Sequence, residues 1–160
     1  MTALPEKPKK RHLKTIGWKE VIDLPEWGIH SLLAKADTGA RGSALDVSSI
    51  ERISESKVKF NVVLARHDRK NGHPVIADIV RSSRIRSSNG VVQERFVVRT
   101  TIQIGATQHK VDFSLVNRQR MICRVLLGRH ALAGHFLVDS DEKYVHGPRR
   151  KPQARKKRHT

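Results

Sequence analysis

Asp37-Thr38-Gly39 is the stretch of this chain with the clearest capacity for chemistry. An Asp carboxylate polarises water. The Thr hydroxyl can tie the loop down by hydrogen bonds, and Gly lets its backbone approach and hydrogen-bond to the carboxylate. Alone, the tripeptide also fits an ordinary turn. A second stretch adds to it: Val125-Leu126-Leu127-Gly128-Arg129 runs into a short helical pattern, His130 to Gly134, then Phe136-Leu137-Val138-Asp139. The apolar pair would pack beneath the Asp37 loop, and the Gly would let two strands pass closely.

These residues must be held by strands. Ile16 to Leu24 reads as a first strand anchored by Trp18 and broken at Pro25, and Gly28 to Ala36 as a second that delivers Asp37. Ala44 to Ile53 resumes a β pattern. Lys57 to Leu64 begins with the clean alternation of a half-buried strand. Asn71-Gly72 is a hairpin signal, and Pro74 to Ile85 reads as the returning strand. Ser87-Ser88-Asn89-Gly90 turns the chain into a long strand, Val91 to Ile104. Gly105-Ala106 turns it again into His109 to Val116. Arg129 to Ala133 is the one helix expected. Short strands with frequent turns imply an all-β closed barrel, and no internal repeat supplies a second Asp-Thr-Gly.

At 160 residues the chain supports one domain with a real core. Aromatics are only 4%, so that core must rest on Val, Ile and Leu, which favours strands. One cysteine, Cys123, rules out an internal disulfide and suits a cytoplasmic protein. No apolar run suggests a membrane span or a signal peptide. The net charge is +17, with +4 in residues 1–14 and +7 in 147–160, leaving +6 for the middle. Both ends contain Pro and lack periodicity. They read as disordered basic arms flanking a barrel at 15–147, with the tail proper at 148–160. Such arms bind polyanions with strong salt dependence, so RNA, ribosomes and acidic protein tails are candidate partners.

Three motifs in order carry a resemblance: Lys35-Ala36-Asp37-Thr38-Gly39-Ala40-Arg41, Ile85-Arg86-Ser87-Ser88-Asn89-Gly90, and Leu126-Leu127-Gly128-Arg129 through Asp139. Over roughly Thr15 to Gly147 the chain resembles the bacterial and archaeal family usually labelled ATP-dependent zinc protease, which is retropepsin-like. The resemblance implies an acid-protease barrel with Asp37, Thr38 and Gly39 as the catalytic loop. Ala40, Leu126, Leu127, Gly128 and Arg129 would support it. The family often accompanies ATP-grasp ligases that add glutamate tails to proteins, which implies trimming of such tails. Zinc and ATP are not supported by residues. There is no His-Glu-x-x-His, no Cys pair, and no Gly-x-x-x-x-Gly-Lys-Ser/Thr loop. Gly39-Ala40-Arg41-Gly42-Ser43 only superficially echoes a phosphate loop. No cofactor or metal is expected.

Aspartic protease chemistry uses two carboxylates that share a proton and hold one water. One Asp-Thr-Gly per chain therefore calls for a homodimer, with Asp37 from each copy at the axis. Asp78 and Asp112 are in-chain alternatives without support in the sequence. Retropepsins commonly carry an acidic residue at the position of Arg41, paired with the Arg of their Gly-Arg motif. Arg129 here needs another partner. Arg41 would favour an acidic substrate, and Arg84, Arg86 and Arg95, around the Ser87 turn, could line the same groove. Asp46 and Asn117 depart from close relatives, which usually show His and Asp there. Two readings follow: an aspartic-type peptidase, or a non-catalytic basic barrel that binds RNA, ribosomes or acidic tails.

Overall fold

The computed structural model describes residues 13–146. Lys14, counted above with the N-terminal arm, already opens the first strand. The reading of the rest of both arms as disordered lies outside the described residues.

The strands follow β-branched and apolar alternation. They are β1 (Lys14–Leu24), β2 (Ile29–Ala36), β3 (Ser43–Arg52), β4 (Lys57–Val62), β5 (His73–Asp78), β6 (Arg81–Arg86), β7 (Val92–Ile104), β8 (Thr107–Val116), β9 (Val125–Leu127) and β10 (Phe136–Lys143). A single-turn helix, α1 (Arg129–Leu132), separates β9 from β10, and a 3-10 turn at Pro25–Trp27 separates β1 from β2. In β4 the period of two is plain: Val58, Phe60 and Val62 are buried, while Lys57 and Lys59 face solvent.

Six strands close on themselves. The path β1-β2-β9-β3-β8-β7 returns to β1 where Asp23 pairs with Gln103. Strand β10 lies parallel to β1, β6 extends the sheet beyond β7, and β4 with β5 forms a ribbon paired to β3. The closed all-β barrel with one short α-helix therefore stands. Its interior is mostly aliphatic, with Ile22, Leu32, Leu45 and Ile102 at 1% exposure or less. Phe60 closes the ribbon side, edge-on to Trp27 with ring centroids 5.6 Å apart.

The stretch Pro74 to Ile85, expected as one returning strand, is two. β5 pairs with β4, whereas β6 pairs with β7. Between them the Ile79 N–H donates to Ser56 and the Val80 N–H to Val97, so the chain crosses from one sheet to the other within two residues. No Gly, Pro or Asn interrupts residues 75–85, which is why the break is silent in the sequence. The helix ends at Leu132, because Ala133 is already extended (φ −60°, ψ 127°).

Candidate active site

Strand β9 is only three residues long, yet it sits between β2 and β3, the two strands that the Asp37 loop joins. It runs parallel to β2, with Ala36 opposite Leu127, and antiparallel to β3, with Ala44 opposite Leu126. Leu127 is buried beneath the loop, and its carbonyl accepts the Asp37 N–H at 2.8 Å. The carboxylate is thus fixed at its base by the second sequence motif.

Within the loop, the Gly39 N–H donates to Asp37 Oδ1 at 2.9 Å, and the Ala40 N–H to the Asp37 carbonyl at 3.2 Å. A Cβ on Gly39 would lie 3.2 Å from that same oxygen, so Gly keeps the approach open. Thr38 is exposed, and the loop is held through its carbonyl rather than through the expected side-chain tie. The Arg129 guanidinium donates to the carbonyls of Thr38 and Gly39, both at 3.3 Å. This is the partner that Arg129 lacked on paper: with Arg41 replacing an acid, two backbone oxygens accept instead.

The return side is equally tight. The Arg129 N–H donates to the Ala40 carbonyl at 2.8 Å, and the His130 N–H to that of Arg41 at 3.1 Å. Gly128 donates its N–H to the buried Ser43 hydroxyl at 3.0 Å. A Cβ on Gly128 would fall 2.2 Å from the Gly42 carbonyl oxygen, so only Gly lets the two loops cross. Ser43 was missed in the sequence because a Ser after Gly has no distinctive spacing. Gly39 to Ser43 leads into strand β3, not a helix, so no helix N-terminus is present for a phosphate.

Arg41 lines an open cleft of about 520 Å³ with Arg81, Arg99, Lys110, Asp112 and His130. Arg99 holds the Asp112 carboxyl below the usual carboxylate range by hydrogen bonding, and the Arg81 charge adds to this. Asp78 is paired to Lys57 at 2.6 Å. Neither in-chain alternative to a second Asp37 is therefore free. The other arginines separate. Arg95 lines a different cleft, while Arg84 and Arg86 are exposed on the edge strand β6, Arg84 opposite Glu94.

Behind α1, His109 donates its Nε2–H to the Ala131 carbonyl, 2.8 Å away. Its ring stacks on His135, with centroids 3.7 Å apart and planes 6° apart, and its Nδ1 is buried without a partner. Burial pushes the His109 pKa below 6.5, the charge of His135 adding to the effect. The folded state therefore prefers neutral His109. Its contribution is complete above pH 6.5 and declines as pH falls below that value. We expect thermal melts from about pH 7.5 to 5 to lose stability toward acid, and His109→Gln to flatten that slope. Superimposable slopes would remove His109 from the account.

Among the described residues no three His, Cys, Asp or Glu side chains come together to hold a metal ion. His109 with His135 offers too few donors for a zinc site. No described helix is long and apolar enough to cross a membrane.

Asp46 and Asn117 prove to be one feature. Asp46 is fully buried and accepts two hydrogen bonds from Arg69, at 2.7 and 2.8 Å, and one from Arg124. Arg69 also donates to the Asn117 side-chain oxygen at 2.8 Å. The cluster fastens the 63–72 and 117–124 connections to β3. Lone Arg residues in loops carry no pattern, so the sequence flagged the acceptors and missed their donors.

Barrel, inserted β9 and Gly-bonded Asp37 define a retropepsin-like protein. The chain belongs to the RimB-like family, described as "Retropepsin-like aspartic endopeptidase RimB", which matches residues 15–149. It is 33% identical over 135 residues to a "Probable alpha-L-glutamate ligase" of Shewanella halifaxensis (strain HAW-EB4), covering 82% of this chain and 30% of that protein. A protein of the same name in Desulfotalea psychrophila (strain LSv54 / DSM 12343) is 32% identical over 129 residues, covering 79% and 28%. The chain thus spans less than a third of the length of these curated relatives. A solved Legionella pneumophila protein of unknown function superposes with a TM-score of 0.67 at 25% identity, covering 83% of this chain and 98% of that one.

Proposed function

We propose that the chain is an aspartic-type peptidase that works as a homodimer and trims glutamate-rich tails. The observation that carries this reading is the Asp37 loop, with Oδ1 bonded to Gly39 and both loop carbonyls held by Arg129. One chain supplies one such carboxylate. A two-fold pair would bring two together, one protonated and one ionised, with a water between them. The ionised carboxylate takes a proton from the water as its oxygen attacks the scissile carbonyl. The protonated one hydrogen-bonds to the carbonyl oxygen and stabilises the tetrahedral adduct. A proton then passes to the leaving amine as the C–N bond breaks.

The substrate side rests on charge and on kinship. Arg41 and Lys110 line the cleft beside the loop, where Arg99 and Arg81 are already drawn to Asp112. Relatives named as glutamate ligases contain a segment similar to this chain, which fits a peptidase that meets glutamate tails. Arms of +4 and +7 would raise the encounter rate with such tails in a salt-dependent way.

The test is hydrolysis of glutamate-rich peptides against neutral ones of equal length at physiological salt. We expect a preference for the acidic series that Arg41→Ala reduces. Deletion of residues 1–14 and 147–160 should weaken apparent affinity and its salt dependence while the preference persists. Equal cleavage of both series by the wild type would refute glutamate trimming.

A further inference from the structure

The larger cleft, about 650 Å³, lies away from Arg41 and is lined by Arg52, Glu94, Arg95 and Arg118, with Ile50 and Phe96 among its apolar walls. Strand β3 reaches it through an irregularity. Ser49 has a positive φ of 54°, and the β3–β4 register shifts between Ser48 and Glu51. This distortion presents Ile50 and Arg52 to the cleft.

Arg52 is held ready there. Its guanidinium donates to the carbonyls of Ser54, at 3.3 Å, and Glu55, at 2.7 Å, and lies 5.2 Å from the centre of the Phe96 ring. Its other amino group is bonded to the Glu94 carboxylate, and both side chains keep about a third of their surface exposed. Fixing a guanidinium in advance lowers the entropy lost when it takes a carboxylate. Arg95 and Arg118 have no carboxylate partner among the described residues. Arg118 is placed by its own N–H, which donates to buried Asp46 at 3.3 Å.

We infer that this cleft is a carboxylate-binding subsite for an acidic peptide, in which Glu94 occupies Arg52 as an in-chain stand-in for a ligand side chain. Three cations face one carboxylate, so the cleft has capacity for a further anion. The occupant is itself a carboxylate on an extended strand. Phe96, the one aromatic residue lining the cleft, is buried and covered by Arg52, which leaves no stacking platform for a nucleobase. The inference rests on the acidic-substrate reading above and adds a second point of contact for it.

The experiment is fluorescence anisotropy of labelled hexaglutamate on the full-length Asp37→Asn chain, so binding is read without cleavage. Arg52→Gln and Arg118→Gln should each weaken binding about fivefold or more. Glu94→Gln should tighten it several-fold by freeing Arg52. Glu142→Gln makes the same charge change on exposed β10 and should do much less. Melting curves show whether each variant is folded, and Arg118→Gln keeps the test available if Arg52→Gln is not.

Equal effects of Glu94→Gln and Glu142→Gln would overturn the inference, as would unchanged binding in both arginine variants. Tighter binding of an oligouridylate of equal charge, with the same ranking of variants, would assign the cleft to phosphate instead. If the ranking fails while wild-type enzyme still prefers acidic peptides, only the subsite is lost. If the ranking holds but no acidic peptide is cleaved, the subsite stands and the peptidase reading falls.

Discussion

Asp37→Asn should lower peptide hydrolysis by about 10²–10⁴-fold or more while the barrel stays intact. Asn keeps an oxygen that can accept the Gly39 N–H at the position of Oδ1, so the loop retains its bond. It loses the ionisable group that removes a proton from water. Mixing the variant with wild type then tests whether two copies build one site. With free subunit exchange, an equimolar mixture should hold about half the activity of the wild type alone, and a tenfold excess of variant about a tenth. Activity that is indifferent to added variant after exchange would show that one Asp37 is enough. Full activity in Asp37→Asn itself, with loss on chelation, would favour a metal-based mechanism.

Asp46→Ala should be the most damaging substitution for stability. Arg124 is 3% exposed by side chain and is bonded to Asp46, so removing the carboxylate leaves a buried cation uncompensated. That costs about 3–5 kcal/mol, a drop in Tm of roughly 6–20 °C for a chain of this size. Burial already pulls the Arg124 pKa down, and Asp46 opposes this. The second departure supplies a rescue. Asn117 Oδ1 lies 2.8 Å from Arg69, so Asn117→Asp in the Asp46→Ala chain places a carboxylate on the same guanidinium and should recover part of the loss. A Tm within a degree or two of wild type for Asp46→Ala would mean that the two arginines find water instead. No recovery on adding Asn117→Asp would separate the two positions energetically.

The sequence determined the strands and the loop because both are local. Alternation in Lys57 to Val62 fixes which face is buried, since successive side chains in a strand point oppositely. Asp-Thr-Gly shapes its own turn because Gly39 bonds back to Asp37 two residues away, whereas Gly128 is required by the Gly42 carbonyl across the fold. What pairs with what was not legible. Strand β9 lies between β2 and β3 through backbone pairings some eighty to ninety residues apart in the chain, such as Ala36 with Leu127 and Ala44 with Leu126. The split of Pro74 to Ile85 was hidden because no Gly, Pro or Asn marks the point where the chain changes sheets. Arg41 and Arg95 were indistinguishable as residues, yet the barrel sends them to different clefts. Asp46 and Asn117 looked like two separate departures until the fold brought both to Arg69. Local spacing encodes which face a residue takes, whereas only closure of the barrel decides which distant charges share a site.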